Sequence, residues 1–309
     1  MARQAVLLLA HGTPETIAEI PEYLRNVTGG RPLPQAVVQE IERRYALIGH
    51  SPLTGITLEQ ARLVEAELAA EGKPVSVYAG MRNWRPSISE VVNRMRAEGV
   101  EEIAVVCLAP QNSRTSVGLY RRAVESSGLR IDFTESWAGH PLLIESFAER
   151  LRTAWTKLSA ESGAPVPVLF TAHSVPTRTV QPAEKGLEVD LYDAEARLTA
   201  ALVAARVPEI TQWHFAFQSQ GASGGAWLGP TVEQTIDSIA ASGAKTLLLQ
   251  PIGFLCDHVE ILYDVDIFFR EYAAKKGLRL ERTESLNASV TLARAVAGLA
   301  RLGLERLAI

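Results

Sequence analysis

The sequence predicts an α/β protein built from two similar, doubly wound halves, each with a parallel sheet flanked by helices. Its 309 residues exceed what a single hydrophobic core usually serves, which favours two domains. Short apolar runs alternate along the chain with stretches of helical period, the pattern of a parallel sheet covered on both faces. A short motif also occurs twice, once in each half of the chain.

The predicted strands are apolar runs too short to be helices. They are Val6 to Leu9, Val75 to Ala79, Ile103 to Leu108, Val168 to Ala172, His214 to Phe217 and Thr246 to Pro251. Because helix-period stretches separate most of them, we expect a parallel, Rossmann-like four-stranded sheet in each half.

The repeated motif sets the division into domains. Residues 6–14 read VLLLAHGTP and residues 168–176 read VLFTAHSVP, so an apolar strand ends in Ala-His in both. We expect a first domain at residues 1–140 and a second at residues 141–309, with the final helix packing back on the first half. Chance convergence of short apolar strings is the alternative explanation.

A second echo supports the duplication. Arg85-Pro86-Ser87-Ile88 resembles Gly229-Pro230-Thr231-Val232, and a Gly follows each of them at a matching distance, Gly99 and Gly243. Pro near the start of a helix and Gly just past its end is the usual asymmetry. Each half is therefore predicted to present the His that ends its first strand, His11 or His173, at the edge where open α/β sheets bind ligands.

Composition and charge exclude several classes of protein. A net charge of −4 and a pI near 5.9 provide no basic surface for nucleic acid. Cys107 and Cys256 lie in apolar runs, as reduced thiols of a cytoplasmic protein do, and they support neither a disulfide nor a thiolate cluster. No apolar run reaches the length of a membrane span, and the first is too short for a signal peptide.

The strongest chemical signal combines a His with a row of carboxylates. His173 ends one predicted strand, while Asp257, Glu260 and Asp264 follow another at spacings that share one face of an α-helix. Imidazole and carboxylate ligands suit divalent first-row metals, and they hold a metal less tightly than thiolates. We expect a transient metal site, and a solvated helix face with a structural His is the alternative.

Aromatic residues concentrate around residues 213–231. Trp213 and Trp227 belong to a stretch that either fills the core or lines a slot for a large flat ligand. Nucleotide-binding, P-loop, GxSxG and HExxH motifs are missing from the sequence, which argues against those enzyme classes.

Three blocks of sequence resemble the signatures of the ferrochelatases. They are AHSVP at residues 172–176, FQSQG with WLGPT within residues 217–231, and DHVEILYDVD at residues 257–266, and AHGTPE, RRYALIGHSPL and LAPQNSRTSVGLY extend the likeness. The resemblance implies a chelatase-type fold with the active-site cleft between its halves. It also implies insertion of Fe(II) into a porphyrin, with iron as a substrate, no resident cofactor and no iron–sulfur cluster.

Within the family, the LAP..S..SV..Y pattern and the short C-terminus look most like the coproporphyrin III enzymes. By position, the resemblance assigns catalysis and iron binding to His173 and Glu260, with Asp264 as a secondary metal ligand. The porphyrin contacts that it implies are Arg44, Tyr45, Ser51 and Tyr120. His11 stands where many relatives have a Tyr that ligates iron in the product, so an imidazole is a candidate axial ligand.

Three other functions remain open from the sequence. A protoporphyrin IX ferrochelatase uses the same chemistry, and a cobalt or nickel chelatase acting on a sirohydrochlorin-type ring would share the duplicated fold. A non-catalytic haem carrier would explain the aromatic residues but not the carboxylates. For the chain itself we expect a cytoplasmic monomer that has no transmembrane segment and does not bind nucleic acid.

Overall fold

The fold is seen in a computed structural model that describes residues 2–180, 190–220 and 225–309. Two four-stranded sheets, all parallel, form its frame. The first has the order β2-β1-β3-β4, and its strands are β1 (Gln4–Ala10), β2 (Val77–Met81), β3 (Glu102–Cys107) and β4 (Arg130–Thr134). The second has the equivalent order β6-β5-β7-β8, and its strands are β5 (Val168–His173), β6 (Trp213–Gln218), β7 (Thr246–Pro251) and β8 (Arg279–Arg282).

Helices cover both faces of each sheet. In the first half they are α1 (Ile20–Val27), α2 (Gln35–Ile48), α3 (Leu53–Ala70), α4 (Ile88–Ala97) and α5 (Val117–Glu125). The remaining helices are α6 (Pro141–Ser162), the single turn α7 (Thr177–Val180), α8 (Tyr192–Ala205), α9 (Val232–Ala241), a π-helix (Glu260–Phe269), α10 (Arg270–Lys275) and α11 (Val290–Leu307). The predicted architecture of two parallel sheets flanked by helices is confirmed.

The edge strands β4 and β8 are absent from the predicted apolar runs. Each lies at an edge of its sheet and is only partly buried, so neither reads as a continuous apolar run, whereas the opposite edge strands β2 and β6 end in three and four buried residues. The six predicted apolar runs correspond to β1, β2, β3, β5, β6 and β7, and each matches its strand to within two residues at either end.

The cores follow from the alternation of side chains along the buried strands. In β1, Leu7 and Leu9 pack outward against α4 and α5, whereas Val6 and Leu8 face inward. Those two residues belong to the same cluster as Phe170 of β5 and Leu248 of β7. The inner faces of the two sheets therefore share one hydrophobic core.

The final helix α11 joins the halves. It packs on α3, β3 and β4 of the first half as well as on α6. Gly303 allows this approach, because a Cβ there would lie 2.9 Å from the Cβ of Ala104. A domain division at residue 140 stays a prediction, since one core spans it.

The two echoed Pro segments form equivalent helix starts. Ser87 caps α4 and Thr231 caps α9, each accepting a hydrogen bond from the backbone N–H three residues on, from Glu90 and Gln234 respectively. In the described ranges no helix combines the length and the apolar run needed to cross a bilayer.

Candidate active site

A cavity of about 570 Å³ opens between the halves at the carboxyl ends of the strands. The turns that follow β1, β3, β5 and β7 contribute much of its lining. In each sheet the order of the strands reverses beside the first strand, because the second strand is added on one side of it and the third on the other. Doubly wound sheets bind ligands at such a switch point. His11 and His173 both line the cavity, one from each half.

His173 and Glu260 face each other in this cavity. The Nε2 atom of His173 lies 3.6 Å from Oε2 of Glu260. The Nδ1–H of His173 donates to the carbonyl of Ser174, which leaves the lone pair of Nε2 free to accept a proton or bind a metal. The hydroxyl of Tyr192 donates to the carbonyl of His173 at 2.9 Å, so the backbone behind the imidazole is also fixed.

Glu260 is a half-buried carboxylate with one oxygen available to bind a proton or a cation. Its Oε2 atom has no hydrogen-bond partner among the described residues. Burial acts to raise the pKa of this carboxyl, but the nearby imidazoles, His173 foremost, bring the pKa below its ordinary value. Glu260 is therefore ionised at neutral pH and can receive a cation.

The helix that carries Glu260 differs from the predicted α-helix. It is a ten-residue π-helix that begins at Glu260, so Asp257 precedes it. Asp257 instead accepts hydrogen bonds from Ser285 at 2.7 Å and Asn287 at 2.9 Å and pairs with Arg282. The prediction that Asp257 joins Glu260 and Asp264 in one acidic row was wrong, because distant residues satisfy its carboxylate.

Asp264 lies on the same π-helix but lines a second cavity of about 550 Å³. Its carboxylate accepts from the hydroxyl of Ser219 at 2.5 Å and pairs with Arg44 at 3.2 Å. Burial, with the charge of Glu260, raises its pKa to about 6. The π-helix thus presents one carboxylate to each cavity.

Arg44 lies away from the first cavity. It pairs with Asp264 and Glu40 and is not among the residues that line the space between the halves. The predicted contact of Arg44 with the macrocycle stays a prediction, and in this structure the carboxylate of Asp264 holds the guanidinium at the second cavity.

The other predicted porphyrin contacts do line the first cavity. Tyr45, Ser51 and Tyr120 lie there, together with Arg31. The hydroxyls of Tyr45 and Thr13 are hydrogen-bonded at 3.0 Å, and burial raises the pKa of Tyr45 to about 12. The Ser51 hydroxyl is buried without a partner among the described residues.

His11 is held by its neighbours through both ring nitrogens. The side-chain amide of Asn83 donates to Nε2 at 2.9 Å, so Nδ1 carries the proton. Nδ1 lies 3.2 Å from the carbonyl of Gly12 and 3.1 Å from the hydroxyl of Tyr23. Burial, followed by the charge of Arg82, lowers the pKa of His11 to about 4, so the ring is neutral at physiological pH.

The turn that presents His11 requires glycine. Gly12 has a φ of +80°, a conformation that L-residues rarely adopt. A Cβ there would also lie 2.8 Å from the Cβ atoms of Met81 and Trp84.

The aromatic stretch divides between the core and the cavity. Trp227 lines the cavity, but Trp213 lies at the opposite end of β6, 40% exposed and edge-on to Phe170 at 5.6 Å. Phe215 and Phe217 are buried in the core. The sequence left core and ligand slot open for this stretch, and Trp213 does not line the cavity, because it begins β6 whereas ligands bind at the carboxyl ends of the strands. Gly221, the last residue of FQSQG, lies outside the described residues.

Sequence reasoning missed three residues in or beside the cavity. Arg82 lines it and Asn83 contacts His11 from the next position, and their place directly after the parallel strand β2 is the signal that could have identified them. His258 also lines the cavity, with its ring 4.7 Å from that of Phe254, and burial lowers its pKa. Within the described ranges no three His, Cys, Asp or Glu side chains meet as a metal cluster.

Comparison with known proteins identifies the relatives of this chain. The ferrochelatase family model matches residues 3–303. A ferrochelatase of Acidobacterium capsulatum is 54% identical over 99% of this chain and 96% of its own length. A coproporphyrin III ferrochelatase of Mycolicibacterium vanbaalenii is 34% identical over 98% of this chain and 92% of its own length.

The solved structures show the same fold. The sirohydrochlorin chelatase of Bacillus subtilis subspecies spizizenii, in complex with cobalt, superposes with a TM-score of 0.57 over 98% of this chain and 96% of its own. Sequence identity is only 11%, so the likeness concerns the architecture alone.

Proposed function

Since this chain belongs to the ferrochelatase family and inserts Fe(II) into a porphyrin, we propose that its substrate is coproporphyrin III and that His173 and Glu260 perform the chemistry. The observation that carries the assignment of residues is the facing pair itself. An imidazole nitrogen with a free lone pair lies 3.6 Å from a buried carboxylate oxygen that has no hydrogen-bond partner in the described part of the chain.

Metal insertion requires the loss of two pyrrole protons and of the water bound to iron. His173 can accept one proton at Nε2, because its Nδ1–H is committed to the Ser174 carbonyl. The ionised Glu260 balances the charge of that imidazolium and offers a second base. Before insertion, the same two atoms can hold Fe(II) with the weak grip that a substrate metal needs.

Asp264 is suited to carry a proton away from the pair. It follows Glu260 by four residues on the π-helix and faces the second cavity. Its pKa of about 6 lies close enough to neutral pH for it to take up and release a proton readily. We therefore assign Asp264 a role in proton transfer or secondary metal binding.

The polar lining of the cavity supports coproporphyrin III, which carries four propionates where protoporphyrin IX carries two. Ser51 offers an unpartnered hydroxyl, and Tyr45, Tyr120 and Arg31 add further donors. The name of the Mycolicibacterium vanbaalenii relative specifies the same porphyrin. A bent macrocycle in this space would expose its pyrrole lone pairs, at a strain of roughly 1–5 kcal/mol drawn from the peripheral contacts.

His11 is the proposed axial ligand of iron in the product. Its neutral ring is a competent ligand, but Nε2 must first exchange the amide of Asn83 for the metal. Iron enters and leaves as substrate and product, and we propose no resident cofactor.

One assay tests the function and its rivals. Purified protein is mixed anaerobically with Fe(II) and either coproporphyrin III or protoporphyrin IX, and metallation is followed in the visible spectrum. We expect faster turnover with coproporphyrin III. Preference for protoporphyrin IX would overturn the proposed substrate, and binding without accelerated metallation would indicate a haem carrier. Cobalt insertion into sirohydrochlorin is measured alongside and should be negligible.

A further inference from the structure

One arginine in the cavity differs from comparable arginines, because it has no acceptor in the part of the chain that the structure describes. Seven arginines of the described ranges are half-buried: Arg44, Arg82, Arg114, Arg121, Arg150, Arg282 and Arg301. Six of them pair with a carboxylate or donate to a carbonyl. The side chain of Arg82 has neither, and its Nε is buried without a hydrogen-bond partner among the described residues.

The position of Arg82 indicates why its charge is left unpaired. It directly follows β2 and lines the cavity between the halves. Its guanidinium carbon lies 5.4 Å from the ring centroid of Tyr120, a contact that orients a cation without neutralising it. Because a buried cationic donor without an acceptor is unfavourable, an anionic ligand is the natural partner.

The N-terminus of α5 adds to the positive potential on the side of the cavity where Arg82 lies. Ser116 is the N-cap residue of α5, makes no side-chain capping bond and lines the cavity. Tyr120 lies one turn further along the same helix, under Arg82. The guanidinium and the helix N-terminus therefore border one region and both favour negative charge.

We propose that Arg82 binds a propionate carboxylate of the porphyrin and is a specificity-determining residue for porphyrins with more than two carboxylates. The planar guanidinium can hold a carboxylate through two parallel hydrogen bonds. The charge of Arg82 also repels free Fe(II), so before insertion the metal is expected at the His173–Glu260 pair of the other half. The inference rests on the proposed substrate and extends it to a residue outside the predicted set.

Three variants test this role. Arg82→Met removes the charge at similar side-chain length. Arg82→Lys keeps the charge but loses the planar guanidinium that can make two parallel hydrogen bonds. Arg122→Met removes an exposed charge on α5 and is the matched control. Dissociation constants for metal-free coproporphyrin III and protoporphyrin IX are measured for each. Circular dichroism and thermal melting verify the fold.

We expect Arg82→Met to weaken coproporphyrin III binding by about 10- to 100-fold and protoporphyrin IX binding by less than about threefold. Arg82→Lys should recover part of the affinity, and Arg122→Met should match the wild type. In turnover, KM for coproporphyrin III should rise while kcat stays nearly constant, as for a residue that contributes uniform binding.

The failures of the two proposals are distinguishable. If the wild type prefers coproporphyrin III and Arg82→Met binds both porphyrins as the wild type does, the role of Arg82 is refuted and the substrate stands. A fall in kcat without a change in affinity would also refute it and would indicate an effect through the neighbouring His11. If the wild-type protein prefers protoporphyrin IX, both the proposed substrate and the proposed role of Arg82 in specificity are refuted.

Discussion

The two halves offer a direct comparison, because each ends its first strand in a histidine that lines the same cavity. His11 has both ring nitrogens engaged, by Asn83 on one side and by Tyr23 and the Gly12 carbonyl on the other. His173 has only Nδ1 engaged, and its Nε2 faces the carboxylate of Glu260. The same scaffold thus holds one imidazole with both ring nitrogens hydrogen-bonded and one with a free Nε2.

The residues around the two imidazoles also differ in charge. Arg82 lies near His11 and contributes to lowering its pKa, whereas the second half supplies Glu260 and then Asp264 on the π-helix. On the proposed roles, the groups that accept protons and hold Fe(II) before insertion lie in the second half, and the donors for anionic groups lie in the first.

The largest expected difference between the halves comes from removing each histidine in turn. His173→Ala should lower metallation by about 10³-fold or more, because it removes a general base and a metal ligand together, while porphyrin affinity changes little. His11→Ala, its matched counterpart, should cost less than about tenfold. Stopped-flow metallation and equilibrium binding measure both. Equal losses in the two variants would show that the chemistry is shared.

The pH dependence sharpens the role of the carboxylates. With its pKa raised to about 6, Asp264 is ionised above that pH and accepts protons, and it is protonated below it. Turnover should therefore fall as pH drops through about 6, and Asp264→Asn should be about tenfold slower at pH 7 and lack this inflection.

The matched control for Asp264 is Glu40, which pairs with the same Arg44. Hydrogen bonds from Arg43 and Arg44 lower its pKa to about 2, so Glu40→Gln should keep the inflection. A pH–rate profile of kcat/KM compares the variants with the wild type. If the inflection persists in Asp264→Asn, another group carries it.

A smaller effect is expected from removing the hydrogen bond to Nε2 of His11. Asn83→Ala removes the donor to His11 Nε2 and frees its lone pair. The iron porphyrin product should then dissociate about fivefold more slowly, with a visible spectrum shifted toward axial imidazole ligation. The double variant His11→Ala with Asn83→Ala is the control and should lose the shift. An unchanged spectrum in Asn83→Ala would argue against His11 as a ligand.

The smallest effect on catalysis is expected where α11 joins the halves. Gly303→Ala places a Cβ 2.9 Å from that of Ala104 and should destabilise the fold by about 1–3 kcal/mol through overpacking. Gly298→Ala on the same helix meets nothing within 4 Å and should stabilise by about 0.5–1 kcal/mol. Urea denaturation measures both variants, and kcat should stay unchanged. Similar stabilities would contradict the close packing of α11.

Much of the fold was predictable because it depends on local pattern. Buried central strands read as apolar runs, and the repeated Ala-His at the end of such a run is enough to place His11 and His173 at the ligand-binding edge of their sheets. Glu260 was likewise predictable, since it follows a buried strand after a short turn.

The rest depended on non-local contacts or on geometry that sequence does not encode simply. Asp257 was misassigned because its partner Arg282 lies on β8, which follows the π-helix in sequence. A spacing of four residues fits an α-helix and a π-helix equally, so the helix type at Glu260 was not readable. Arg44 shows the same limit, because only the folded chain reveals that Asp264 occupies its guanidinium.

The core shared by the two sheets restricts how the enzyme can move. Val6, Phe170 and Leu248 belong to one packed cluster, and α11 packs on both halves. A hinge motion of one half relative to the other would therefore disrupt the shared core. The planar porphyrin must therefore enter a cavity between the halves that is already open. On the proposed mechanism, the bend of the bound macrocycle would then be imposed by the shape of the cavity rather than by closure of the two halves.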